Sequence, residues 1–220
     1  MTTGEPWNDG VKTESFDVVA STKCQSLPDY PSITNFATGA FVSSKLVICG
    51  GQSPMTTSNC YTLGRTENTW KPSGNLITPR MGAASVEINN KLVIFGGYNA
   101  GYLQSTEEFD VETGTSKAGT NMLLAIGFHC AVKLNATTVL IIGGDGGSGY
   151  LSSSCFYNAE LKTFTPGPSL TEARKYHGCA ILTTGTERLV IVTGGSGAAG
   201  NLDSTEVMDL DQPTMWKTGL

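Results

Sequence analysis

Four copies of one hydrophobic pattern organise the sequence. Each copy is a short run of large or β-branched apolar residues that ends at two glycines: KLVICGG, KLVIFGG, TVLIIGG and RLVIVTGG. Such a run predicts a short buried strand that ends abruptly, because a glycine pair permits a turn with positive φ or a close approach of two backbones. We therefore assign a structural role to the repeat glycines, which are Gly50, Gly51, Gly96, Gly97, Gly143, Gly144, Gly194 and Gly195.

The spacing of these copies indicates a repeat protein. Gly51, Gly97, Gly144 and Gly195 are separated by 46, 47 and 51 residues, and a degraded copy at Gly4 lies 47 residues before Gly51. A period of this size is typical of repeated supersecondary units. The period divides the chain into one partial and four full units, which we place at 1–36, 37–79, 80–124, 125–171 and 172–220.

Each unit contains four short strands and no helical periodicity. A polar loop follows the glycine pair, then a second strand, a polar break, an outer strand and a proline-bearing connection to the next unit. One four-stranded antiparallel sheet cannot bury both of its own faces, whereas units stacked around an axis cover one another. The expected fold is an all-β propeller of about four and a half blades with an incomplete ring. A β-sandwich or a β-solenoid is the alternative, but a sandwich does not require a constant period.

The repeat resembles the kelch repeat over nearly the whole chain. The resemblance rests on Arg80, on KLVIFGG, on the acidic-aromatic string STEEFD from Ser105 and on the tryptophans of neighbouring copies, Trp70 and Trp216. The third full copy departs from the pattern, with Cys155 at the usual glutamate and Phe164 at the usual tryptophan. The strings CQSLPDYP and CYTL are similar to a set of invertebrate kelch-like proteins, of which this chain would be a part.

Composition excludes several classes of function. The net charge is −5 and no lysine or arginine cluster occurs, so there is no electrostatic footprint for nucleic acid. The longest apolar runs are far shorter than the roughly 18 residues of a membrane span. No signal segment opens the sequence, and the pattern leaves cytoplasmic and secreted locations both open.

Few residues are suited to catalysis or to metal binding. His129 and His177 occupy equivalent strand starts, which favours a structural role over imidazole chemistry. Arg80 and Arg174 begin the inner strands, where a salt bridge or a carbonyl contact near the axis is the favoured interpretation and contact with a partner the alternative. We interpret Asp145 and Asp203 as solvated turn residues rather than calcium ligands. The sequence therefore predicts no enzyme, no cofactor and no metal.

The kelch resemblance implies a protein-interaction scaffold that presents loops to a partner. Tyr98, Tyr102 and Tyr150 lie in the loops after the glycine pairs and are the candidate anchors, unless their rings fold back on the blade rim. With an attached BTB domain, such a propeller would be a substrate receptor for ubiquitin ligation. The alternative function is an extracellular kelch propeller with carbohydrate-binding or oxidase activity. We also expect the isolated chain to self-associate through open blade edges.

The cysteines leave the redox state open. Cys49 ends one strand and Cys60 begins the next, so the two face each other in an antiparallel pair, either as a disulfide or as two reduced thiols. The other four, Cys24, Cys130, Cys155 and Cys179, have no partner at a comparable register. The glycosylation string Asn135-Ala136-Thr137 leans towards secretion.

Overall fold

The computed structural model describes residues 16–17, 22–23, 27–185 and 187–219. Residues outside these ranges include Cys24 and the degraded copy at Gly4, so predictions for them lie outside the described residues. Within the described residues there are 22 strands. They are β1 Phe16–Asp17, β2 Thr22–Lys23, β3 Thr38–Val42, β4 Lys45–Cys49, β5 Gln52–Ser53, β6 Met55–Thr56, β7 Asn59–Gly64, β8 Lys71–Asn75, β9 Ala84–Ile88, β10 Lys91–Phe95, β11 Thr106–Asp110, β12 Thr115–Ala118, β13 Cys130–Lys133, β14 Thr138–Ile142, β15 Ser154–Asn158, β16 Thr163–Pro166, β17 Gly178–Thr184, β18 Glu187–Thr193, β19 Ser196–Gly197, β20 Gly200–Asn201, β21 Thr205–Asp209 and β22 Lys217–Thr218.

Sixteen of these strands form four antiparallel sheets of four strands each, which are the blades. Blade 1 has the order β3-β4-β7-β8, blade 2 β9-β10-β11-β12, blade 3 β13-β14-β15-β16 and blade 4 β17-β18-β21-β22. The first strands of successive blades contact one another, so they are the inner strands around a common axis. The expectation of an all-β propeller of four-stranded blades is confirmed.

The apolar runs before the glycine pairs form the second strand of each blade, and in blades 2 and 3 this strand is buried on both faces. In β10, Leu92 and Ile94 pack towards blade 1, whereas Val93 and Phe95 pack towards blade 3. Leu140 of β14 likewise packs against blade 4. Because each of these large side chains contributes about 1.5–3 kcal/mol when buried, the stacking of blades is the main source of cohesion.

A chain of main-chain hydrogen bonds links the blades near the axis. These bonds join the residues that lie two positions before the first residue of each inner strand. We name these four residues, Phe36, Gly82, Phe128 and Tyr176, the inner positions. Gly82 N donates to Phe36 O at 2.9 Å, Phe128 N to Gly82 O at 2.6 Å and Tyr176 N to Phe128 O at 3.0 Å. All four residues have φ between 56° and 60°, the left-handed region.

Two disulfides lie in the sheets. Cys49 and Cys60 are bonded within blade 1 between β4 and β7, with Cα atoms 4.1 Å apart. Cys130 of β13 and Cys179 of β17 join blade 3 to blade 4, with Cα atoms 6.2 Å apart. The expectation that Cys130 and Cys179 lack partners is wrong, since register within one blade says nothing about inner strands of neighbouring blades. Cys155 is a free thiol.

Candidate protein-binding surface at the central axis

The loops after the glycine pairs meet the segments that enter the inner strands at one end of the axis. Isolated bridges join the two sets in every blade, at Asn35–Gln52, Met81–Tyr98, Gly127–Asp145 and Lys175–Ser196. The glycine pair makes this approach possible: a Cβ atom on Gly97 would lie 2.8 Å from Met81 O, and Gly97 has a φ of 106°. We name the surface formed by these loops the axial face.

Three aromatic rings occupy the centre of the axial face. The ring centroids of Phe36, Phe128 and Tyr176 lie 4.8–5.9 Å from one another. Phe36 is 47% exposed and Tyr176 is 49% exposed, although both are large. We name these three residues the aromatic cluster. The fourth inner position is Gly82, where a Cβ atom would collide with the ring of Phe128, so the missing side chain leaves room for the cluster.

The tyrosines predicted from the loops surround this cluster but differ in exposure. Tyr98 and Tyr102 are partly buried and form an edge-to-face pair with centroids 5.3 Å apart. Burial, together with a hydrogen bond to Asp145, raises the pKa of Tyr102 to about 12. Tyr150 is 37% exposed. The structure thus brings all three tyrosines to the axial face and leaves Tyr150 the most accessible.

Lys175 places a cation among these rings. Its Nζ lies 5.0 Å from the centroid of Tyr150 and 5.2 Å from that of Tyr176, and it donates to Asp145 Oδ2 at 2.7 Å. That hydrogen bond raises the pKa of Lys175. Although burial opposes ionisation of Asp145, the bond from Lys175 holds the pKa of Asp145 below its usual value. Both groups are therefore charged at neutral pH, and the ammonium group is stabilised by the ring faces.

Arg80 and Arg174 lie inside the blades rather than on the axial face. Arg80 is 1% exposed and pairs with Glu107 at 2.6 Å, and Arg174 is fully buried and pairs with Glu206 at 3.0 Å. Each guanidinium group also donates to two main-chain carbonyls, which for Arg174 are those of Gly194 and Ser204. Neither side chain is accessible to a partner in this arrangement.

The two histidines are buried beneath the glycine pairs. Burial lowers the pKa of His129 to about 3 and that of His177 to about 4, so both rings are neutral at physiological pH. Asp203 is exposed in the loop before β21, whereas Asp145 is paired with Lys175. In the part of the chain that the structure describes, no group of three or more histidine, cysteine, aspartate or glutamate side chains could hold a metal ion.

The aromatic cluster and Lys175 are not among the binding residues predicted from the sequence. A signal was available, since Phe36, Gly82, Phe128 and Tyr176 follow one another at 46, 46 and 48 residues, close to the repeat period. The loops after the glycine pairs have the composition typical of a binding surface, whereas the segments before the inner strands have that of simple connections. A comparison of side chains at every repeat position would have found three aromatic residues in one column.

Comparison with known proteins places the chain in a family. No helix among the described residues is long and apolar enough to cross a membrane. No curated protein matches the chain. The family model of the KLHDC2/KLHL20/DRC7 Kelch-repeats domain matches residues 36–218, which include all four blades and the aromatic cluster. Together with the blade architecture, this match shows that the chain belongs to the kelch-repeat family of β-propellers.

Proposed function

We propose that the axial face binds a protein partner, with the aromatic cluster as its central contact. The observation that carries this proposal is the half-exposure of Phe36 and Tyr176 beside Phe128. Large aromatic side chains at the centre of a surface are the residues that most often dominate protein–protein binding energy. The kelch family is in general a family of non-enzymatic interaction scaffolds, which agrees with such a role.

The backbone supports this interpretation. An aromatic residue in the left-handed region costs roughly 1–2 kcal/mol relative to the right-handed region. Three such residues occur at the inner positions, where their main chain links the blades and their side chains point to a common centre. Strain of this kind is typical of functional sites. Lys175 and Asp145 add polar groups at the edge of the cluster, as expected for the rim of a binding surface.

The test is site-specific photo-crosslinking of the full-length protein in its native cells. A photo-reactive phenylalanine analogue replaces Tyr176 or Tyr150, and Leu161 serves as the control because it is 71% exposed in the turn between β15 and β16. We expect one discrete partner band from the two axial positions and none from Leu161. The variant Tyr176→Ala should weaken binding of that partner by more than about 1 kcal/mol with little change in thermal stability. Equal labelling from all three positions would contradict the proposal.

An adaptor role in ubiquitin ligation is a narrower form of the same proposal. It requires a BTB domain in the full-length protein, and the axial face would then bind the substrate. Co-purification of a cullin with the full-length protein tests this role. Loss of the substrate but not of the cullin in Tyr176→Ala would assign substrate binding to the axial face.

A further inference from the structure

A cavity of about 220 Å³ opens in blade 3 beside its connection to blade 2. Its walls are mostly apolar and include Leu123, Leu124, Ile126, Ile141 and Cys155. We name it the blade 3 cavity. It does not belong to the axial face described above, because none of the aromatic cluster lines it. The position of the cavity is explained by comparing blade 3 with blades 2 and 4.

Blade 3 lacks the buried ion pair of blades 2 and 4. Ile126 takes the position of arginine, since its main-chain N donates to Leu103 O just as Arg174 N donates to Leu151 O. Cys155 takes the position of glutamate, since it pairs with Ile141 across the strands just as Glu206 pairs with Val192. Both side chains are shorter than those they replace. The blade 3 cavity is therefore the volume that an Arg–Glu pair fills in the neighbouring copies.

The same pair of main-chain amides binds a carboxylate in the two blades that keep the glutamate. In blade 2, Ile77 N donates to Glu107 Oε2 at 2.7 Å and Thr78 N to Oε1 at 3.0 Å. In blade 4, Thr171 N and Glu172 N donate to the two carboxylate oxygens of Glu206 at 2.7 and 3.1 Å. This two-amide fork is thus a built carboxylate site, present twice in one molecule.

The equivalent fork in blade 3 has no carboxylate. Met122 N donates to Gln104 O as Leu76 N donates to Ser58 O, so the next two residues, Leu123 and Leu124, carry the fork amides. Neither of these amides has an acceptor among the residues that the structure describes. Both residues line the cavity. The cavity therefore combines two free N–H donors with an apolar wall.

We propose that the blade 3 cavity binds a small carboxylic acid with a compact apolar tail. The carboxylate accepts hydrogen bonds from Leu123 N and Leu124 N in the position of the missing glutamate. The tail lies against Ile141 and against Ile126, which replaces the arginine of the neighbouring blades. A branched aliphatic or a phenyl group suits the volume.

The electrostatics of the cavity favour a singly charged ligand. Burial raises the pKa of the Cys155 thiol to about 11, so it is neutral and does not repel a carboxylate. Hydrogen bonds to an ionised acceptor are roughly twice as strong as neutral ones, which favours the acid over its amide. No guanidinium lies in the cavity, because Ile126 stands at the arginine position. A second charge on the tail would be desolvated without a partner.

The experiment titrates the 220-residue chain with 4-fluorophenylacetate and follows the fluorine signal by NMR. We expect saturable binding of the acid by the wild type. The affinity for the neutral 4-fluorophenylacetamide should be at least about tenfold weaker than that for the acid. Because the thiolate is the reactive form, alkylation of Cys155 by iodoacetamide is followed at alkaline pH, and bound acid should slow it, as measured by mass spectrometry of the Cys155 peptide. This second readout places the ligand in the cavity.

Two variants fill the cavity in different ways. Ile126→Arg with Cys155→Glu rebuilds the ion pair of blades 2 and 4 and should reduce the affinity at least about tenfold. Should that variant fail to fold, Cys155→Leu fills part of the volume with apolar atoms and should have the same effect. Leu161→Ala, on the exposed turn, is the matched control and should bind as the wild type does. Unchanged affinity in a folded cavity-filled variant, equal binding of acid and amide, or no saturable binding by the wild type would overturn the proposal.

Discussion

At the scale of single residues, the same repeat position holds a buried Arg–Glu pair in blades 2 and 4 and two uncharged residues in blade 3. Arg174 and Glu206 are both fully buried, and the same carboxylate accepts two main-chain N–H bonds. Removing one partner of a buried ion pair leaves the other charge buried without compensation. Replacing both partners by uncharged residues leaves no buried charge. Blade 3 shows the second outcome, because Ile126 and Cys155 have replaced both members.

The first prediction concerns this ion pair. Arg174→Met should lower the free energy of unfolding by about 3–5 kcal/mol, because Glu206 is left buried without its cation. The double variant Arg174→Met with Glu206→Met should recover a large part of that loss. Chemical denaturation with urea measures all three proteins. The control is Arg188→Met, since Arg188 is exposed and a surface change alters stability by less than about 0.5 kcal/mol. A double variant as unstable as the single one would contradict the coupling.

The sequence predicted a buried contact for the arginine of this pair but did not identify Glu206 as its partner. The period indicates that Arg80 and Arg174 begin inner strands, where a salt bridge or a carbonyl contact is the favoured interpretation, and the structure shows both kinds of contact. The two amides that hold each carboxylate come from a segment without side-chain pattern, so no residue type marks them. The blade 3 cavity was not predictable for a similar reason. Only a comparison of three copies shows that Ile126 and Cys155 stand where blades 2 and 4 have arginine and glutamate.

At the scale of elements, one disulfide joins two strands of the same blade and the other joins two blades. Cys49–Cys60 joins neighbouring strands of one sheet and closes a loop of 11 residues. Cys130–Cys179 joins the inner strands of two blades across 49 residues. In the chain-entropy model the longer loop stabilises more, about 4 kcal/mol against about 3 kcal/mol.

The second prediction follows from that difference. In protein made under oxidising conditions, Cys130→Ser with Cys179→Ser should lower the free energy of unfolding more than Cys49→Ser with Cys60→Ser does. Denaturation of the oxidised proteins measures the loss, and Cys155→Ser is the control because Cys155 forms no disulfide. Non-reducing peptide mapping must first recover both disulfide-linked peptide pairs, Cys49 with Cys60 and Cys130 with Cys179. Recovery of four alkylated cysteines would contradict both bonds.

Strand pairing within a blade was predictable, whereas pairing between blades was not. Cys49 and Cys60 are separated by the turn after a glycine pair, so their opposition follows from an antiparallel hairpin. Cys130 and Cys179 become neighbours only when the blades are arranged around the axis. The period establishes that arrangement in outline, but not which residues of adjacent inner strands approach each other.

At the scale of the whole molecule, the inner strands of blades 1 and 4 carry exposed apolar residues. Phe41 of β3 and Leu182 of β17 are both exposed. Their neighbours Val42 and Ile181 pack towards the adjacent blades, so Phe41 and Leu182 lie on the opposite faces. Such faces are suited to contact with another sheet.

The third prediction is that the isolated 220-residue chain self-associates through these faces. Sedimentation velocity over a range of concentrations should show a rising mean mass, and Phe41→Ser with Leu182→Ser should reduce the association. Leu161→Ser is the control because it changes an exposed apolar residue outside these faces. A concentration-independent monomer would contradict the prediction.

The inner positions have a consequence for how this surface can change over time. The bonds between Phe36, Gly82, Phe128 and Tyr176 use only main-chain N–H and C=O groups, so these bonds require of each residue only that it tolerates a left-handed backbone. Gly82 already presents no side chain at all. Under the binding role proposed for the axial face, substitution of Phe36, Phe128 or Tyr176 would change its specificity while the main-chain bonds between the blades stay the same.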